Sequence, residues 1–151
     1  MSNHYDSSVD TLNHIKRVSN LLHKFVKELL GRADNHDASK LRLPEKEVFD
    51  AYTPKLKETT YGSDEYKKHL VEMKKGLKHH YEMNYHHPEH YPSGVDSMDL
   101  VDLMEMFCDW KAATERNPGG DILKSIDINA KRFKLSPQLE SIFLCTAQRY
   151  F

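Results

Sequence analysis

His36 and Asp37 are adjacent in the chain, with His14 ahead of them and Asp109 far behind. Two imidazoles and two carboxylates make a nitrogen and oxygen donor set suited to one divalent cation. An ion held by four such side chains keeps positions open for water and a phosphoryl oxygen, which is the chemistry of phosphoester hydrolysis. Asp37 would orient the attacking water. Lys40, three residues on and in the same turn, would meet a substrate phosphate as a point charge.

Helices must position these groups, because apolar residues recur with helical spacing and strand alternation is nearly absent. Leu12, Ile15, Val18, Leu21, Leu22, Phe25, Val26, Leu29 and Leu30 form one wide stripe over 9–30. His14, Val18, Leu21 and Phe25 share a face, so His14 is expected to be buried, and Gly31 is expected to stop the helix. A shorter helix begins near Pro44, with Thr53-Pro54 opening another turn. Tyr61-Gly62-Ser63 predicts a turn with Ser63 as N-cap of a long helix from Asp64 to about Tyr85, ended by Pro88. Ser97 is read as the cap of a helix reaching about Glu115, Asn117-Pro118-Gly119-Gly120 as a breaker, and Asp121 and Ser136-Pro137 as the starts of the last two helices. The expected architecture is therefore all-α, a single-domain bundle of about five main helices spanning 1–151, with 1–8 a flexible segment.

The ten histidines are the compositional outlier. Tyr66, Leu70, Met73, Leu77, His80, Asn84 and His87 alternate at spacings of four and three, which puts His80 and His87 on the apolar seam of the long helix. Those two are the candidates for a second metal or for substrate contact, and one of them for protonating the leaving oxygen. His69, His79 and His86 fall on a neighbouring, more polar stripe. On the helix from Ser97, Leu100, Leu103, Met104, Phe107 and Trp110 read as the main apolar face, while Asp102, Glu105 and Asp109 align at i, i+3 and i+7. Asp102 and Glu105 fit the helix's acid-favouring first half, whereas Asp109 is too far along for that explanation. Asp102 remains a possible substitute for Asp109 as the last ligand.

Charge narrows the class of partner. Lys and Arg total 22 against 23 for Asp and Glu, and no segment is strongly basic, so a nucleic-acid platform is disfavoured. Cys108 and Cys145 form no C-x-x-C pair, no apolar run approaches membrane-spanning length and the first ten residues lack a signal-peptide core, so a cytoplasmic protein is expected.

The order His14, His36-Asp37, His79-His80 with His86-His87, and then Asp109 resembles the HD superfamily of metal-dependent phosphohydrolases. More narrowly, the segments HDASK, KHHYEMNYHHPEHY and EMFCDWKAA resemble a small HD-like family of phage and bacterial proteins of unassigned function. The resemblance spans roughly 11–134. It implies a helical core in which His14, His36, Asp37 and Asp109 hold a first divalent metal and histidines among His79, His80, His86 and His87 hold a second where one exists. One or two ions per chain are expected, of Mn, Mg, Fe, Ni, Co or Zn, and the implied substrate is a nucleotide or related phosphoester. The alternatives are an HD-like di-iron oxygenase and a non-catalytic module that captures a nucleotide or a protein. A homo-oligomer is compatible with all three.

Overall fold

A computed structural model describes residues 5–60, 63–116 and 119–151. The expected turn at Tyr61-Gly62 and the Asn117-Pro118 half of the breaker lie outside the described residues, as do residues 1–4 of the segment expected to be flexible. The regular secondary structure of the described residues is all helical, with seven α-helices: α1 Ser8–Asn35, α2 Glu45–Glu58, α3 Asp64–Glu72, α4 Lys74–Met83, α5 Leu100–Thr114, α6 Ile122–Phe133 and α7 Pro137–Tyr150. Short 3₁₀ turns occupy Ala38–Leu41, Pro88–His90 and Gly94–Ser97. The chain falls into two compact units, 1–35 and 36–151.

The first unit is the single helix α1. Gly31 does not end it, because an Arg32–Glu28 ion pair at 3.1 Å and a bond from the Asn35 amide to the Gly31 carbonyl at 2.9 Å carry it a further turn. None of its residues is buried, and Leu12, Ile15, Leu22 and Phe25 are exposed. His14, expected to be buried, is exposed with them. A stripe on one helix marks a face able to be covered; burial itself needs a second surface.

The second unit contains the apolar core. Met106, Phe107 and Trp110 of α5 pack with Ile126 of α6 and with Phe143 and Ala147 of α7. The core face of α5 is thus rotated from the expected one, since Leu100 is 71% and Met104 50% exposed. That helix is apolar around most of its circumference, so periodicity alone underdetermined which side faces inward. It begins at Leu100 and not after Ser97: Asp99 accepts from the Val101 and Asp102 amides while the Asp102 carboxylate takes the Asp99 amide, a reciprocal cap. The caps expected at Ser63, Asp121 and Ser136 are all in place.

Two further departures shape the site. Pro54 does not open a new turn but lies inside α2, on its exposed side. The single helix expected over 64–85 is two helices, turned at the buried Met73, whose ψ is −3°, and α4 stops at Met83. That split adds one helix, and the described residues form seven where about five main ones were expected. α4 lies close against α2 because Gly76 has no side chain: a Cβ there would stand 2.8 Å from Val48 Cβ. This approach brings the start of α2 beside His79 and His80.

Candidate metal centre

The centre lies within the second unit. Asp37 precedes the Ala38–Leu41 turn in the left-handed region, with φ of 57°, which Asp tolerates better than most residues. That backbone aims its carboxylate at α4 and at the turn following it. Asp37 Oδ1 is 3.3 Å from His80 Nε2 and 3.6 Å from His86 Nε2, while Oδ2 is 3.6 Å from His36 Nε2 and also takes the Lys40 ammonium. His36 Nε2 lies 3.7 Å from Asp109 Oδ1 on α5. His80 and His87 face each other through Nε2 atoms 2.8 Å apart.

Three groupings result among the described residues, each with its ligand atoms within 4.8 Å of one another: Asp37, His80, His86 and His87; His36, Asp37 and Asp109; and His36, His86 and Glu105. Asp37 belongs to the first two. Ligand atoms about 2.0–2.1 Å from an ion are separated by roughly 3 Å along an octahedral edge, which suits this spacing. Two buried atoms, Asp37 Oδ1 and His86 Nε2, have no hydrogen-bond partner. A lone pair buried without a donor is costly, and a cation between them removes that cost. The donor set therefore fits a divalent ion.

The far sides of the rings are tied to acids. His36 Nδ1 bonds Glu105 Oε1 at 2.8 Å, and His86 Nδ1 is 3.1 Å from the same oxygen but too poorly aligned for a hydrogen bond. His80 Nδ1 bonds Glu45 Oε2 at 2.9 Å. Metal-ligating histidines are commonly held through their second nitrogen in this way.

Of the candidate residues, the structure brings together His36, Asp37, His80, His86, His87 and Asp109, with Lys40 beside Asp37. His79 is 37% exposed and bonded through Nδ1 to Glu45, outside the groupings found among the described residues. His86, read as lying on a polar stripe, is 1% exposed, because α4 has ended and a turn carries it inward. Asp102 is buried at 3% and serves the α5 cap and the Tyr91 hydroxyl, 2.5 Å away. Of the two acids, Asp109 is the one at the centre. His14 lies on α1 in the other unit. Glu45 had no signal in the sequence, since acids are ordinary in a first helical turn. Glu105 did carry one, four residues before Asp109 and so on the same face of α5.

The family of unknown function DUF5662 matches residues 3–149. The chain belongs to that family. No curated protein and no solved structure matches this DUF5662 member.

Electrostatics in this DUF5662 chain favour the ligand forms unevenly. Acceptance by Asp109 and by Glu105 raises the His36 pKa to about 10 from an ordinary 6.5. Burial works against ionisation of Asp37, but the adjacent His80 ring and the Lys40 ammonium outweigh it and hold the carboxyl well below the usual range. Asp109 is likewise lowered, burial opposing and the His36 bond prevailing. Burial, with His86 and His80 alongside, pushes His87 down to about 3, so this ring is neutral and ready to donate a lone pair.

A pH dependence follows. A proton held by His36 with a folded pKa near 10 must leave before Nε2 can ligate, so metal affinity should rise with pH up to about 10. The same raised pKa stabilises the metal-free fold below 6.5, and that contribution is lost as the pH climbs through about 10. Titration calorimetry in buffers of different ionisation enthalpy should show about one proton released per ion near neutral pH, and His36→Gln should abolish the release. Equal release from both proteins would contradict this.

Proposed function

We propose that this chain is a metal-dependent phosphohydrolase of the HD type, acting on a nucleotide or related phosphoester. The observation that carries the reading is the gathering of His36, His80, His86 and His87 around Asp37, with two of the buried atoms there lacking a hydrogen-bond partner. His36, Asp37 and Asp109 would hold one ion; Asp37, His80, His86 and His87 would hold a second. A bound divalent ion supplies Lewis acidity, which polarises a phosphoryl oxygen and makes water a better nucleophile at neutral pH. Imidazole-rich donors suit Fe, Co, Ni or Zn better than Mg or Mn.

The side chains have separable tasks. Asp37, shared by both ion sites, orients the water. Lys40 lies with its side chain 31% exposed beside Asp37 and 5.1 Å above the Phe49 ring, placed to meet a phosphate from the solvent side. His87, neutral at pH 7 and resistant to protonation, is suited to ligate and not to deliver a proton to the leaving oxygen. His80 is fixed between Glu45 and Asp37, which suits a ligand.

The nitrogen-rich set also supports a second reading, a di-iron oxygenase. Metal analysis followed by a phosphoester panel under anaerobic conditions separates them. The hydrolase reading predicts turnover without oxygen, lost in His36→Ala and Asp37→Asn; a visible iron band with oxygen consumption and no hydrolysis supports the oxygenase. Retention of a nucleotide or protein ligand without product would replace both with a capture module.

A further inference from the structure

We infer that Glu45 is a positioning residue for the centre: it fixes His80 as the Nδ1–H tautomer and thereby points the Nε2 lone pair at Asp37 and His87. The inference rests on the metal-centre reading. Glu45 is 0% exposed, and an isolated carboxylate is not buried completely without compensation. Its compensation is a set of donors. Oε2 accepts from the Ser39 hydroxyl at 2.9 Å and from His80 Nδ1 at 2.9 Å, and Oε1 accepts from His79 Nδ1 at 2.7 Å.

The direction of each bond is set by counting hydrogens. The Asn84 amide has two, given to the His80 carbonyl at 2.7 Å and to Ser39 Oγ at 2.9 Å. Ser39, having accepted one, gives its only hydrogen to Glu45. Asn84 Nδ2 also lies 3.0 Å from His80 Nδ1 but has no hydrogen left for it. Since a carboxylate only accepts, His80 Nδ1 must carry the proton, and in the neutral ring Nε2 is then bare. The Ala38–Leu41 turn, α2 and α4 thus meet at one acid, and His79 closes its outer side against solvent.

The test combines imidazole nitrogen NMR of the metal-free full chain with zinc and manganese affinity for wild type, Glu45→Gln and, as a surface control on the same helix, Glu47→Gln. In wild type, His80 should give the Nδ1–H pattern. Glu45→Gln, nearly the same shape but carrying an amide donor, should disturb that pattern and weaken metal binding about 10–100-fold, while Glu47→Gln leaves both unchanged. A wild-type His80 protonated on Nε2 would overturn the inference whether or not the variant folds. An unchanged tautomer and affinity in folded Glu45→Gln, with only the melting temperature lowered, would reduce Glu45 to a packing role and also overturn it. Should the wild-type chain bind neither ion, the function reading fails while the tautomer measurement still decides the case for Glu45.

Discussion

Asp37→Asn should eliminate hydrolysis and ion binding together, with kcat/KM falling at least about 1,000-fold, the rate equivalent of roughly 4 kcal/mol of charge stabilisation. Asp37 alone stands in both of the ion sites proposed above, joining His80, His86 and His87 to His36 and Asp109. Asn is the informative replacement because the backbone at this position has φ of 57°, which Asn tolerates and Ala does not. The fold should therefore survive. Substituting an amide places a donor or a weaker acceptor opposite His80 and His86, and Lys40 loses its ion-pair partner. Steady-state kinetics beside metal content and a thermal melt would check this; undiminished turnover in a folded Asp37→Asn chain would rule out the assigned role.

Phe143→Ala is the expected stability counterpart. Phe143 is 5% exposed, stacked on Phe107 with ring centroids 5.4 Å apart and edge-on to Trp110 at 5.7 Å. Removing the ring should cost about 3–5 kcal/mol, which for a chain of this size lowers the melting temperature by roughly 6–20 °C. The effect should reach the centre as well. Phe107 and Trp110 lie on the same helix as Glu105 and Asp109, so loosening the α5–α7 contact should reduce metal occupancy while leaving every ligand in place. A differential scanning melt with and without added metal measures both, and a shift under about 2 °C would show that this core does not anchor α5.

Where a structural feature is set by neighbouring residues, the sequence made it legible. Asp121 and Ser136 cap the last two helices because each offers a side-chain oxygen to amides two or three residues on. His36 and Asp37 were identifiable as an adjacent imidazole and carboxylate, and Asp109 because an acid stood out on an otherwise largely apolar helix. What depended on packing was hidden. The turn at Met73 falls inside an unbroken apolar seam, and the close approach at Gly76 is meaningful only once Val48 lies against it. Of adjacent His79 and His80, about 100° apart around a helix, only one could face inward, and α2 decided which. His86 was misplaced by extending helical phase past the end of α4. Glu45 resembled an ordinary first-turn acid until three donors converged on it.

X-ray absorption at the metal edge, recorded on the protein as purified and after loading with a single ion, tests the central claim most directly. The account predicts a shell of nitrogen and oxygen atoms about 2.0–2.2 Å from the metal with the outer scattering of several imidazoles, diminished in His80→Ala. A chain that takes up no ion, or whose bound ion shows no imidazole scattering, would contradict it.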